Sequence, residues 1–205
     1  MESNIVLTDE QFIGKGANKK VYYYPGDKNR CVKILYVDDT SDYDREMTYR
    51  QMLGKKHRKT TMLPQYFGVV STNLGSGHVY ECVNDFDGQR SAKILDYISG
   101  HLKNSSEEEI VGFLLKLRNL WQSENIVTTD ADPNNFVVQR LSENEYTFRI
   151  LDNVGVVTFI PLALWFDFVA KIEVRKRWKR FIKNVIKLGK INLSDAGRRK
   201  LLEYC

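Results

Sequence analysis

The sequence predicts an α+β chain, strand-rich to about Val83 and helix-rich beyond it. Three observations carry this. Short β-branched and aromatic runs, such as Val21 to Tyr24 and Cys31 to Tyr36, fill the first part. Strong turn residues, Pro25-Gly26-Asp27, separate two of them. After Ser106 the apolar residues Ile110, Phe113, Leu114, Leu117 and Trp121 recur at helical spacing. Strands followed by helices make a small N-terminal lobe (residues 1–83) and a helical C-terminal lobe (residues 84–205), and a cleft between two lobes is a favoured ligand site.

Taken in order, residues 12–36 read as strand, Gly-rich turn, strand, strand. A helix follows, with Ser41 as its cap, Asp44 three residues on, and Gly54 at its stop. A basic loop from Lys55 to Lys59 leads to strands near Tyr66 to Ser71 and His78 to Val83. Asp85 to Asn104 reads as a loop and a short helix. Ser106 with Glu109 opens the next helix, and the helix dipole favours the three glutamates in its first turn. Ile126-Val127, Phe136-Val137-Val138 and Arg149-Ile150-Leu151 read as short strands. From Leu162 onward the pattern is helical.

The 205 residues suffice for one large domain or two lobes sharing a core. A hydrophobic share of 42% with 28% charged residues leaves no long low-complexity tract. The net charge of +5 favours anionic partners but is too small to imply nucleic acid. Cys31, Cys82 and Cys205 are odd in number and scattered, which argues against a disulfide framework and against a closely spaced metal site. Residues 1–12 lack the apolar core of a signal peptide. The longest uncharged stretch, Asn153 to Phe166, is too short to span a bilayer and holds Gly155 and Pro161. A cytoplasmic protein is the expectation.

Chemistry-bearing residues fall at several places. Gly14-Lys15-Gly16 makes either a tight turn or a loop whose backbone approaches a polyphosphate closely. Lys33 sits mid-strand and shares a face with Cys31 and Leu35. It points inward towards an anion, or lies on an edge strand in solvent. Glu46 on the next helix is a candidate partner, or an ordinary solvated glutamate. The loop Asp130-Ala131-Asp132-Pro133-Asn134-Asn135 packs acids and amides between apolar segments, stiffened by Pro133. It also reads as a decorated turn. Asp152-Asn153 follows an apolar strand and precedes Gly155. Oxygen donors at Asn135 and Asp152 suit Mg²⁺, a hard cation.

In their order these motifs resemble a protein kinase. Gly14-x-Gly16-x-x-Lys19-x-Val21 is similar to the glycine-rich phosphate loop, with Lys19 in place of the third glycine. Val32-Lys33-Ile34 resembles the lysine strand, and Glu46 falls where the lysine's partner belongs. Tyr80-Glu81-Cys82-Val83 is similar to the hinge whose backbone holds adenine. The run from Ile126 to Asn135 resembles the catalytic loop, and Ile150-Leu151-Asp152 the metal-binding strand end. The resemblance covers residues 14–152. It implies a bilobal ATP-binding phosphotransferase with a reduced helical lobe. In it Gly14, Gly16, Val21, Glu81 and Val83 hold ATP and Lys33 binds the α- and β-phosphates, oriented by Glu46. Asn135 and Asp152 hold Mg²⁺, and Asp130 is the catalytic base.

A narrower match spans nearly the whole chain. Lys33 to Tyr36, Asp85-Phe86-Asp87-Gly88, Asp152-Asn153-Val154-Gly155, Ile160-Pro161-Leu162-Ala163 with Trp165, and Trp178-Lys179-Arg180-Phe181-Ile182 resemble the bacterial YrbL family. That family is linked to the PhoP regulatory network and belongs to the kinase-like superfamily. The resemblance implies an enterobacterial-type cytoplasmic protein and supplies no substrate.

Departures from the kinase pattern shape the expectation. Thr128-Thr129 replace His-Arg, so control by a phosphorylated activation loop is not expected. Asp132 stands where many protein kinases carry a lysine. Asn153-Val154 replace Phe-Gly, and little chain separates Asp152 from the Leu162 helix. These favour a small-molecule, sugar or lipid hydroxyl over a protein as acceptor. A pseudokinase that binds nucleotide or a partner without turnover is the alternative, and a basic adaptor using only the scaffold is a third.

The stretch from Lys171 to Lys190 holds nine Lys or Arg against one acid, Glu173. Phe168, Ile172, Trp178, Phe181, Ile182 and Val185 read as its apolar stripe. It is either a core-packed helix with a solvated basic face or a surface for anionic lipid, lipopolysaccharide or nucleic acid; no nucleic-acid motif accompanies it, so nucleic acid is the least expected of the three.

Overall fold

The computed structural model describes residues 5–37, 39–58, 60–156, 162–189 and 191–203, apart from the side chains of Leu162 and Leu164. Of the residues singled out above, 1–4, Lys59, Ile160, Pro161, Lys190 and Cys205 lie outside that set. The fold is mixed α+β and divides into two compact units. The first comprises residues 1–42 and 64–90, the second residues 43–63 and 91–205.

The first unit is built on an antiparallel sheet. Strands β1 (Phe12–Lys15), β2 (Lys19–Tyr24), β3 (Asp27–Leu35), β4 (Tyr66–Thr72) and β5 (Gly75–Glu81) run in the order β1-β2-β3-β5-β4. The turn predicted at Pro25-Gly26-Asp27 joins β2 to β3, with Gly26 in the left-handed region at φ 79°. Strand alternation sorts the two faces. Tyr22, Val32, Ile34 and Val79 pack with Leu7 into the apolar core of this unit.

The second unit starts with most of α1 (Ser41–Lys55), and continues through β6 (Ala92–Lys93), α2 (Ile94–Gly100), α3 (Glu107–Glu124), β7 (Phe136–Arg140) and β8 (Tyr146–Ile150). It ends with α4 (Leu162–Trp165), α5 (Asp167–Gly189) and α6 (Asp195–Leu202). Strands β6, β7 and β8 form a small antiparallel sheet. Helix α3 opens on the predicted capping box, the Ser106 hydroxyl accepting from the Glu109 amide while the Glu109 carboxylate accepts from Ser106. Its apolar face buries Phe113, Leu114, Leu117 and Trp121. Trp121, Phe136, Trp178 and Phe181 form an aromatic core with neighbouring ring centroids 4.7–6.4 Å apart. Among the described residues no helix is long and apolar enough to cross a membrane.

Three local expectations are corrected. Gly54 is not the stop of α1. His57 takes the left-handed position at φ 49°, with its N–H on the Gly54 carbonyl and the Arg58 N–H on that of Leu53. Ile126-Val127 is not a strand; pairing there is limited to a bridge between Thr128 and Val154. The apolar stripe of α5 is split. Trp178, Phe181, Ile182 and Val185 are buried, whereas Phe168 and Ile172 are exposed. At about 100° per residue those two fall on the outer side of the helix.

Candidate functional site

In the first unit, pairing register aligns the predicted ligand-binding residues. Gly14 lies opposite Val21, Val21 opposite Lys33, and Lys33 opposite His78, a row across four strands. Lys33 is half-buried on the face opposite the apolar core. Its ammonium lies 4.4 Å from the ring centroid of the buried Tyr80, a cation–π distance.

Gly16 opens the β1–β2 turn, its N–H donating to the Lys19 carbonyl at 2.8 Å. The Tyr36 hydroxyl donates to the Gly16 carbonyl at 2.6 Å, and Lys15 Nζ sits 4.6 Å from the Tyr36 ring centroid. A Cβ at Gly14 would meet nothing within 4 Å, and one at Gly16 only the Lys19 carbonyl at 3.7 Å. Neither glycine has a positive φ. Protein packing therefore does not demand glycine at these two places.

At the end of β5, Glu81 ties the chain to Gln65, with the Gln65 N–H on Glu81 Oε2 at 2.9 Å and the Glu81 N–H on the Gln65 carbonyl at 2.8 Å. Val83 is buried two residues on. Cys31 and Cys82 are both buried free thiols. Their hydrogen bond lowers the Cys31 pKa and raises that of Cys82.

In the second unit the polar loop and the Asp152 turn come together. Backbone pairing does this: the Thr129 N–H donates to the Asn153 carbonyl at 2.7 Å, Gly155 to Val127 at 2.9 Å, and Leu151 to Asn135 at 2.8 Å. Asn153 sits in the left-handed region at φ 60°, which Asn tolerates better than most residues. Gly155, at φ 122°, also lies where a Cβ would press on the Arg45 stem at 3.0 Å.

The result converges on one carboxylate. Asp130 Oδ2 accepts from the Asn153 side-chain amide at 2.7 Å. Asp130 Oδ1 accepts from Asn135 Nδ2 at 3.4 Å and from the Asp132 N–H at 3.3 Å. Asp132 in turn caps a single 3₁₀ turn, Pro133–Asn135, accepting the Asn134 N–H at 2.9 Å. Asp152 Oδ1 accepts the Asn153 N–H at 2.9 Å.

Two buried groups and the half-buried Asn184 anchor this loop. The Tyr49 hydroxyl accepts the Val127 N–H at 2.8 Å, Trp121 Nε1 donates to the Ile126 carbonyl at 2.7 Å, and Asn184 Nδ2 of α5 donates to the Ala131 carbonyl at 3.0 Å. Thr128 Oγ1 donates to the Asp130 carbonyl.

Asp130, Asn135 and Asp152 thus lie together in the second unit. Glu46 lies in the same unit, buried, with Arg50 Nε on its carboxylate at 2.8 Å. Gly14, Gly16, Val21, Lys33, Glu81 and Val83 belong to the first unit. The sequence analysis names Asn153 without giving it a role, and does not name Tyr49 or Asn184. For Asn153 the local signal is its residue type, since Asn tolerates the left-handed region that a tight turn can require.

A family model described as PhoP regulatory network protein YrbL matches residues 5–186. The chain belongs to this YrbL family. It is similar to the "Uncharacterized protein YrbL" of Escherichia coli (strain K12) and to the protein of that name from Shigella flexneri. Each is 33% identical over 181 residues, spanning 87% of this chain and 86% of the relative. The match covers β1 to β5 as well as the Asp130 loop and the Asp152 turn.

Proposed function

We propose that this YrbL-family protein is a kinase-like, two-lobed phosphotransferase that moves the γ-phosphoryl group of ATP to a hydroxyl of a small molecule, sugar, lipid or protein. The observation that carries the reading is the Asp130 carboxylate, oriented by Asn135 and Asn153 beside the Asp152 turn. A base that must take a hydroxyl proton needs a fixed direction, and amide donors provide it.

Asp130 is assigned to accept that proton. Lys33 is assigned to the α- and β-phosphates and Glu46 to the orientation of that lysine. Gly14 and Gly16, where neither packing nor backbone conformation demands glycine, are assigned to close approach by phosphate oxygens. Val21, Glu81 and Val83 are assigned to the nucleoside.

Asn135 and Asp152 present oxygen donors, which fit Mg²⁺. Among the described residues no group of three or more His, Cys, Asp or Glu converges as a metal cage. The ion's contribution when bound is neutralisation of phosphate charge.

One observation favours a second reading, a nucleotide-binding regulator without turnover. The Asn153 amide occupies Asp130 Oδ2 at 2.7 Å, the oxygen a base would otherwise offer. Two measurements separate the readings. Stabilisation against heat by ATP with Mg²⁺ is expected under both, since a ligand that binds only the native state must stabilise it. Release or transfer of label from γ-labelled ATP, self-labelling included, is expected under the first alone. Asp130→Asn should lower that turnover by about 10²–10⁴ while sparing the thermal shift. Equal turnover in the variant removes Asp130 from the mechanism.

A further inference from the structure

The outer face of α5 carries two features that the phosphotransfer reading does not use. Lys171, Arg175, Lys176, Lys179, Arg180, Lys183 and Lys187 are all exposed along it. The acids nearby are engaged: Glu173 with Lys176 Nζ at 2.9 Å, and Asp167 with Lys56 at 3.2 Å and also with Arg58. Those two cations hold the Asp167 carboxyl below its usual range.

At the N-terminal end of this face stand Trp165 and Phe168, each 64% exposed, with Phe166 at 51% and Ile172 at 44%. The Phe166 and Phe168 rings lie 5.9 Å apart, centroid to centroid. Lys56 Nζ donates to the Trp165 carbonyl at 3.2 Å, so this aromatic tip is pinned to the end of α1. The four apolar residues are absent from the core, which Trp178, Phe181, Ile182 and Val185 fill from the opposite side of the same helix.

Exposed aromatic rings adjoining a long cationic face have a specific complement. Anionic headgroups match the lysines and arginines, and the interfacial layer of a bilayer matches Trp and Phe, which sit at headgroup level. A polyanion such as duplex DNA satisfies the charges but leaves the rings in water. An acidic protein lacks the apolar layer over so broad a face. From this complementarity we infer that the outer face of α5, with Trp165, Phe166, Phe168 and Ile172 at its tip, docks the protein peripherally onto an anionic phospholipid surface. The contact is interfacial rather than spanning. It stands independently of phosphoryl transfer.

The tryptophans provide a selective readout. Of three in the chain, Trp121 and Trp178 are fully buried, so quenching from the membrane side reports Trp165. The full chain is mixed with vesicles of phosphatidylcholine containing about one quarter phosphatidylglycerol, and separately with pure phosphatidylcholine. Co-sedimentation is expected with the first and not the second, and should weaken as salt rises.

Brominated acyl chains in the anionic vesicles should quench part of the emission. Trp165→Phe should remove that quenched part while keeping binding. The double variant Lys179→Glu, Lys183→Glu should bind at least about tenfold more weakly, and Trp165→Ser with Phe168→Ser should do likewise. All four positions are exposed, and an unchanged thermal midpoint confirms that each variant is folded. Equal binding to both vesicle types, binding without bromine quenching, or binding unmoved by the folded variants would overturn the inference. So would binding to duplex DNA without binding to vesicles, which would assign the face to nucleic acid.

Discussion

Replacing Tyr49 with Phe tests whether the Asp130 loop is held in place from α1. The Tyr49 hydroxyl accepts the Val127 N–H at 2.8 Å and donates to the Asn125 carbonyl at 3.4 Å. Phe keeps the ring and deletes both bonds. Val127 is 2% exposed, so water does not reach its orphaned amide. A buried donor left unsatisfied costs about 1–3 kcal/mol, and losing one oxygen leaves little cavity. Urea unfolding at pH 8 should therefore show a loss of about 2 kcal/mol with an unchanged m-value.

The pH dependence gives an independent check of the same contact. Burial pushes the Tyr49 phenol up to about 12, against about 10 in an unfolded chain. Above pH 10 the unfolded state releases this proton first, so it binds fewer protons than the native state and stability falls with pH. The contribution is complete below pH 10 and is lost as pH climbs through 12. The Phe variant lacks this titration, whereas every other tyrosine and lysine is common to both proteins. The gap between them should narrow by roughly 1 kcal/mol between pH 8 and pH 11. Equal stability at pH 8, or a gap constant to pH 11, would refute the reasoning.

Three further outcomes are expected. Asn153→Gly keeps the left-handed backbone but removes the amide on Asp130, and should slow turnover of labelled ATP by at least about tenfold; an unchanged rate would show that Asp130 needs no such orientation. Gly77→Ala would press a Cβ against Val32 Cγ1 and place it 2.8 Å from Ile34 Cδ1. Overpacking there should cost about 1–3 kcal/mol in denaturant unfolding, and a neutral result would mean that the core of the first unit gives way easily. Ser194→Ala removes the acceptor for the Gly197 N–H at the start of α6, for a loss of about 0.5–2 kcal/mol. The Ser194 hydroxyl, then its amide, holds the Glu107 carboxyl below its usual range. That stabilisation is present above the unfolded pKa and is lost as pH falls through the lowered one. The gap between wild type and variant should therefore shrink in acid, and a gap constant with pH would detach Glu107 from the cap.

Legibility in the sequence depended on whether one local signal decided each question. The α3 capping box and the Pro25-Gly26-Asp27 turn are local and stand where expected. The alternation around Lys33 places it with Cys31, but not which face the core covers. Both faces carry apolar residues, and the core gathers on Val32, Ile34 and Val79. Residue type alone sets Phe168 and Ile172 on the apolar stripe of α5, whereas their helical angle sets them on the outer side. The Asp130 loop was conspicuous, yet its geometry depends on pairing between residues 127–129 and 153–155, which no short window contains.

The cost of that geometry argues for a role beyond folding. Asp130, Asp132 and Asp152 are half-buried carboxylates on a loop and a turn joined by backbone pairing, and a half-buried carboxylate gives up part of its hydration. The core of the second unit, built on Trp121, Phe136, Trp178 and Phe181, does not need them. The structure nonetheless spends buried Tyr49 and Trp121 and the amide of Asn184 on fixing the loop that bears Asp130. Departures from locally favourable choices concentrate at functional sites. If the loop were only a turn, replacing Asp130 with Asn would leave no trace on function. A loss of function without a loss of stability is the signature expected of a site.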